Sequence, residues 1–441
     1  MRGEEEMELK TLDAFFQSDP VFKDSNVFST DWKPDVFKYR EEEYNALAQM
    51  FATHYQVASN GFIYGPPGTG KTHLVQRLIE AFNLYTPPDH FKKKNDKPVK
   101  FIMINCRKST FPQVFNDTLN ALGGKNNNSN RTAEIGERIA RFVKEYNICF
   151  IFDEADRMRP TKAHWTPVED LVGIFTRFHE IHNTPSVSLI LISNNPRLCD
   201  GLDDSTKSSF HAPRIKFKDY DVQQLYEILI ERCALGFQQN IVSPEDLITF
   251  AKTIRDGSYD LRDAFQALNY AGMNAKKTSV YKITLKNLKQ SLKTIEMEMI
   301  AETIKDFDMT NFALYYILAD IQLKKQQMVE KTKTSVLVAH QEIREIYKTD
   351  LWRGYQRLNQ EFPLFFPTHS EDYLVYQAIK KMQKQGFVRV VIHGKGRGLG
   401  THNTYELASR ENPEESVTTQ ELEIINNALK VEMERRVEGG I

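Results

Sequence analysis

Gly65-Pro66-Pro67-Gly68-Thr69-Gly70-Lys71-Thr72 places three glycines, a lysine and a hydroxyl within eight consecutive residues. Such a run suits phosphate binding. Glycines let backbone N–H groups close around phosphate oxygens with no Cβ in the way, and a helix N-terminus behind them adds partial positive charge. These residues are expected to hold the phosphates of ATP or ADP, with Lys71 on the β- and γ-phosphates and the Thr72 hydroxyl on Mg²⁺. A second run, Ile148-Cys149-Phe150-Ile151-Phe152, ends in Asp153 and Glu154. Asp153 is expected to bind the same Mg²⁺, directly or through water, and Glu154 to orient and polarise an attacking water.

A phosphate loop of this type needs a strand before it and a helix after it. Residues 61–64 (GFIY) read as the strand and 71–82 as the helix. Further apolar runs at 101–105, 148–153, 187–193 and 214–217 alternate with helical patterns at 111–122, 132–146 and 165–182. That alternation predicts a parallel sheet covered on both faces. From 222 to about 298 the pattern is purely helical. After it come more helices and two short strands around a glycine-rich loop. The expected division is an N-terminal extension (1–35), an α/β core (36–219), a helical lid (220–303), a further domain (304–410) and an acidic tail (411–441).

With 441 residues, 41% hydrophobic and 27% charged, the chain has apolar material for two to three cores. Cys106, Cys149, Cys199 and Cys233 lie far apart with no CxxC pair, which argues against a disulfide framework and a zinc site. The opening MRGEEEMELK is acidic where a signal peptide is basic, and no run is apolar enough to span a membrane. A cytoplasmic, nucleoid-associated protein is expected, or a nuclear one in a eukaryotic host.

The net charge of −1 hides an asymmetry: residues 305–410 carry +5 and 411–441 carry −5. No acidic residue occurs between Tyr373 and Tyr405, a stretch holding Lys380, Lys381, Lys384, Arg389, His393, Lys395 and Arg397. One-sided charge of this kind is what contact with DNA phosphates requires. The order is helix (371–385), strand (387–393), loop GKGRGLGT (394–401) and strand (402–408), the layout of a winged helix. Lys395 and Arg397 are expected to enter a minor groove of double-stranded DNA. Glu371 and Asp372 open the recognition helix, so backbone and wing contacts are expected before base reading.

In these segments the chain resembles the archaeal-type origin-recognition and helicase-loader family, AAA+ ATPases with a C-terminal winged helix. The likeness runs over residues 27–409 through VFSTDWKPDVFKYREEE (27–43), INCRKSTFPQVF (104–115), ISNNPRLCDGLDDSTKSSF (192–210), IKFKDYDVQQLYEILIERC (215–233) and SYDLRDAFQAL (258–268). It implies an AAA+ parallel sheet with a helical lid followed by a winged helix. It implies that Tyr39 and Arg40 lie by the adenine, that Asn194 is the sensor 1 residue holding the lytic water, and that Arg262 is the sensor 2 arginine on the γ-phosphate. The implied partners are replication-origin duplex, with a replicative helicase or other initiator subunits. The chain departs from the family at Ser205, where an arginine finger usually completes a neighbour's site, and at Tyr259-Asp260, where the lid motif usually reads Gly-Asp. Lys207, Arg197 and Arg214 are the other candidate fingers. The function expected is an ATP-dependent initiator in which ATP is a slow switch. The alternative is an AAA+ regulatory or defence ATPase whose winged helix makes protein contacts.

Overall fold

The computed structural model describes residues 19–34, 37–86, 97–125, 132–257, 259–331, 346–363, 365–371, 373–384, 387–394, 401–407 and 419–438. Its contacts divide the chain into two compact units, Met1–Leu288 and Lys289–Ile441.

In the first unit α1 (Glu41–His54) precedes β1 (Gly61–Tyr64), and α2 (Lys71–Leu84) follows it. Then come β2 (Val99–Asn105), α3 (Phe111–Ala121), α4 (Thr132–Glu145), β3 (Asn147–Asp153), α5 (Pro167–Thr176) and α6 (Phe178–His182). β4 (Ser188–Ser193), α7 (Asp204–Phe210) and β5 (Arg214–Lys216) complete the sheet region. The five strands lie in the order β2-β3-β4-β1-β5, and every pairing is parallel.

Successive side chains of a strand point to opposite faces, and here both faces are apolar. Ile63, Ile151, Ile190 and Ile192 pack with Leu47 and Phe51 of α1 and Leu74 and Leu78 of α2. Phe62, Phe150, Phe152, Leu189 and Leu191 pack against α3, α4 and α5. Burial on both faces explains why these strands read as continuous apolar runs rather than as an alternation.

The helices α8 (Val222–Gly236), α9 (Pro244–Asp256) and α10 (Leu261–Lys277) form the helical segment after the sheet. Part of the expected N-terminal extension joins it. Lys23 N donates to Gly236 O (2.8 Å) and Gln238 N to Val21 O (2.9 Å). The rings of Phe22, Phe28 and Phe237 form one cluster. Residues 19–32 therefore act as a strap over the lid helices. Their irregular sequence gave no such signal, because the contacts that fix them lie some 200 residues away (|i−j| of 205 for Arg232 to Val27).

The division between units falls inside α11 (Leu285–Lys305). The second unit contains α12 (Met309–Lys331), α13 (Lys348–Glu361), a π-helical turn (Tyr373–Ala378) continuing as α14 (Ile379–Lys384), and the antiparallel hairpin β6 (Val388–Gly394) and β7 (Thr401–Leu407). Its last element, α15 (Thr419–Glu438), covers most of the expected acidic tail. That helix is part of the core: Leu422, Ile425 and Leu429 pack with Phe312, Leu318 and Leu407. Arg436 is buried across the Phe312 ring and donates to Glu432 (2.8 Å) and to Ile304 O (2.9 Å). Of the carboxylates whose side chains are described, Glu423 and Glu434 are exposed, whereas Glu432 is buried and paired with Arg435 and Arg436.

Candidate functional site

Three adjacent strand ends converge. β1 runs into the glycine loop, β3 delivers Asp153 and Glu154, and β4 between them leads to Asn194. Ligands of open parallel sheets bind at such carboxyl ends, where the strand order reverses. Here β1 lies inside the sheet while β2, next in the chain, is at the far edge.

Two glycines of the loop are required by conformation. Gly68 has φ +69°, and a Cβ there would lie 2.4 Å from Cβ of Asp260 in the lid. Gly70 has φ +89° and caps α2, whose first backbone N–H groups face the loop. Lys71 is 6% exposed, and its Nζ donates to the carbonyls of Gly65 (2.7 Å) and Pro66 (2.6 Å). Thr69 Oγ1 also donates to Pro66 O, at 2.8 Å. Burial pushes the Lys71 ammonium down to about 8, with Asp153 opposing the shift.

Thr72 Oγ1 donates to Asp153 Oδ2 at 2.9 Å, and Glu154 N donates to Asp153 Oδ1 at 2.9 Å. Asp153 is buried, which raises its carboxyl above the usual range against both hydrogen bonds. Glu154 adopts a left-handed backbone (φ 50°), a conformation that costs a non-glycine of order 1–3 kcal/mol and concentrates at functional sites. Its buried Oε2 accepts no hydrogen bond among the described residues, and Arg107 Nε lies 3.6 Å away.

These groups line a cavity of about 380 Å³ together with Pro67, Asn194 and Arg262. Asn194 is held by its backbone, which donates to Asp156 Oδ1 (3.2 Å). Arg262, in the first turn of α10, donates from Nε and Nη2 to Asp260 Oδ2 at 3.0 and 2.7 Å. Asp260 also caps α10 by accepting from the Arg262 and Asp263 N–H groups. The same carboxylate thus caps the lid helix, aims its arginine and touches the phosphate loop.

Tyr39 and Arg40 are placed differently from the side chains that line the cavity. The Tyr39 hydroxyl donates to Glu227 of α8, which pushes its pKa up to about 12. Arg40 is buried, bonded to Tyr220 Oη, Glu43 and Lys218 O, and stacked 4.0 Å over the Tyr220 ring. Its guanidinium ties α1 to the start of the lid. The aromatic wall comes instead from Trp32, Phe37, Tyr220 and Phe265. Arg232 stacks between Trp32 (3.9 Å) and Phe265 (4.1 Å) and donates to Val27 O, and burial lowers it to about 10. Trp32, Arg107 and Arg232 each lie in a segment that carries the family likeness (27–43, 104–115 and 215–233), but nothing local to those segments singled them out as site residues.

At the edge of the unit Ser205 stands in the first turn of α7, and its hydroxyl accepts from the Arg177 guanidinium. Arg214 pairs with Asp200 at 3.0 Å.

In the second unit the hairpin register runs from Val388↔Leu407 to Gly394↔Thr401. Arg389 forms an ion pair with Glu406 on the facing strand, and Lys381 with Asp308 (3.2 Å). Lys380 is exposed. Lys395 and Arg397 lie outside the described residues, and the side chains of Lys384 and His393 are likewise outside them.

A parallel sheet of this order, a glycine loop after β1, a carboxylate pair after β3 and a helical lid define an AAA+ protein. The AAA domain family matches residues 54–198. Similar relatives include the ORC1-type DNA replication protein 1 of Sulfolobus acidocaldarius, 27% identical over 293 residues, 64% of this chain and 70% of that one. The ORC1-type DNA replication protein of Pyrococcus abyssi is 26% identical over 320 residues, 70% of this chain and 74% of the relative. Among solved structures, the Aeropyrum pernix ORC1 protein in complex with DNA superposes with a TM-score of 0.68 at 21% identity, over 94% of this chain and 98% of that one. Within the AAA+ class, the chain is similar to the archaeal ORC1-type DNA replication proteins, and its fold matches that of a solved archaeal ORC1 protein. None of its described helices is long and apolar enough to cross a membrane.

Proposed function

We propose that this protein is an ATP-dependent replication initiator that grips origin duplex DNA through its C-terminal hairpin and uses the bound nucleotide as a slow switch. The observation that carries the reading is the meeting of Lys71, the Thr72–Asp153 pair, Glu154 and the lid's Arg262 around one cavity. A pocket bounded by both sheet and lid can convert the presence of a terminal phosphate into a lid position. The names of the relatives support the replication part.

The residues fit ATP and Mg²⁺. The glycine loop leaves no space for a Cβ at Gly68, Lys71 is a buried cation, and Thr72 and Asp153 offer hard oxygen donors side by side. Gly65, Pro66, Pro67, Gly68, Thr69 and Gly70 would wrap the phosphates, and Thr72 and Asp153 would hold the metal. Mg²⁺ there would neutralise charge on the β- and γ-phosphates. Glu154, with a buried oxygen that accepts no hydrogen bond among the described residues, takes the proton of the attacking water. Asn194 orients that water, and Arg262 brings the lid's charge to the terminal phosphate. The 36–219 core, the 220–303 lid and the 304–410 winged helix are the working parts in this reading.

The depressed Lys71 pKa has a measurable consequence. Between about pH 8 and the ordinary lysine value of 10.5 the unfolded chain binds more protons than the folded one, so this group's contribution to stability rises with pH across that window. ATP needs the ammonium. Its affinity is expected to fall by up to about tenfold per pH unit above pH 8, with uptake of about one proton on binding. Calorimetry in buffers of different ionisation enthalpy reads this directly, and a pH-independent affinity with no proton uptake contradicts it.

DNA binding is tested on the full chain by titrating a duplex from the host's origin region across a salt series, with and without ATP. Lys395→Ala with Arg397→Ala should lower the salt slope by about one to two units while leaving ATP binding unchanged. An unchanged slope and footprint remove the hairpin as the contact surface. The pairing of Arg389 with Glu406 and of Lys381 with Asp308 favours a second reading, a regulatory ATPase whose hairpin meets protein. Partner assembly without salt-dependent DNA binding is its signature. A replicative helicase or another initiator subunit is the kind of partner that the family implies.

A further inference from the structure

Two short loops beside the nucleotide cavity carry a surface that the initiator reading does not use. One follows β2 (residues 106–110), and the other follows Glu154 (residues 157–166). Backbone bonds join them. Lys108 N donates to Arg157 O (3.2 Å), Arg159 N to Ser109 O (2.8 Å), and Thr110 forms a parallel bridge with Arg159. The second loop is closed by reciprocal hydrogen bonds between Thr161 and His164 (2.9 and 3.2 Å). His164 is fixed in turn by Asp170 (Nδ1 to Oδ2, 2.7 Å) and by the Phe111 ring, 4.4 Å between centroids.

Trp165 comes next, and it is 76% exposed. A large aromatic ring is thus held out into water by a loop that its own hydrogen bonds fix. Folding alone gives no reason for this, since a tryptophan gains by burial. The two joined loops also carry Arg107, Lys108, Arg157, Arg159 and Lys162, and neither loop contains a carboxylate. The facing acids are engaged: Glu154 lies by Arg107, Asp156 by Arg157 (both 3.6 Å), and Asp170 binds His164. Lys108, Arg159 and Lys162 are exposed and form no ion pair among the described residues.

Exposed cations and a solvent-facing aromatic ring on one pair of joined loops match a polyanion that also offers flat apolar faces. A single strand of nucleic acid is such a ligand, because its bases are free to stack while its phosphates meet the cations. A duplex hides its base faces, and an acidic peptide offers a flat face only where it happens to carry an aromatic side chain, whereas a single strand offers one beside every phosphate. We propose that these loops form a contact surface for a single nucleic-acid strand, with Trp165 stacking on an unpaired base and Lys108, Arg159 and Lys162 meeting the flanking phosphates. The surface lies on the ATPase unit and does not depend on what the C-terminal hairpin binds.

The test uses the full-length protein and a labelled oligothymidylate, with anisotropy across a salt series and quenching of tryptophan emission as readouts. Trp165→Ala should weaken strand binding by about 5- to 150-fold, and Trp165→Phe, which keeps a ring, should retain most of it. Trp165→Phe should also abolish most of the quenching. Arg159→Ala with Lys162→Ala should lower the salt slope by about 1.4 units, the value for two phosphate contacts on a single strand. ATP binding, unchanged in all three, shows that each variant is folded. Equal binding of oligouridylate supports the proposal, since stacking and charge do not require deoxyribose. Strand affinity unchanged in Trp165→Ala and in the double variant overturns it. So does a change in sedimentation with strand binding retained, which assigns the surface to protein contact.

Discussion

Glutamine in place of Glu154 is expected to leave ATP affinity within about twofold and to cut turnover by roughly 10²–10⁴-fold. The amide has nearly the shape of the carboxylate but cannot take a proton, so only water activation is lost. The geometry supports this division of labour. Glu154 Oε2 is buried and accepts no hydrogen bond among the described residues, whereas Asp153 is tied to Thr72 and to the Glu154 N–H. Lys71→Ala is expected to do the reverse. It removes a buried cation seated against the loop carbonyls of Gly65 and Pro66, so tight ATP binding itself should disappear. Equilibrium binding of a labelled nucleotide and single-turnover hydrolysis separate the two effects. Equal loss of affinity in both variants contradicts the roles assigned.

Specific ATPase activity is expected to be low and to stay flat as protein concentration rises. An arginine supplied by a neighbour stabilises the transferred phosphoryl group by roughly 10³–10⁵ in rate, and position 205 holds serine. Ser205→Arg should gain concentration-dependent turnover if copies pack head to tail. The structure adds a control that sequence did not suggest. Arg177, from the junction of α5 and α6, places its guanidinium on the Ser205 hydroxyl. Should wild-type activity rise steeply with concentration, Arg177→Ala decides whether this neighbouring guanidinium does the finger's work. Lys207 offers only a compact ammonium without the planar fork, and Arg214 forms an exposed ion pair with Asp200, of a kind worth about 0–1 kcal/mol. A flat profile in the wild type together with a rising one in Ser205→Arg is the result that the slow-switch reading requires.

Local sequence determined the elements whose cause is local. The glycine loop, the strand before it and the helix after it are contiguous, and their spacing fixes a phosphate cradle whatever surrounds it. The apolar runs at β1, β3 and β4 forced a sheet buried on both faces, because residues such as Phe150, Ile151 and Phe152 leave no polar side to turn to water. Asp153 and Glu154 follow from the end of such a run. The hairpin at 388–407 was legible in the same way, from two β-branched segments around a glycine-rich loop.

Tertiary structure decided what contacts distant in sequence decide. Whether Tyr39 or Phe37 faces the cavity depends on how the chain enters α1, and Arg40 settles it by burying its guanidinium against Tyr220 and Lys218, some 180 residues on (|i−j| of 180 and 178). The strap at 19–32 is irregular by any local rule. It becomes part of the lid only because Gly236 and Gly272 leave room for the Phe28 and Phe22 rings. That the partly helical tail packs into the core as α15 depends on Leu422, Ile425 and Leu429, which a net charge does not register. Ion pairs across strands, Arg389 with Glu406 above all, depend on hairpin register. Composition counts charges, whereas only the folded chain shows which of them are already paired.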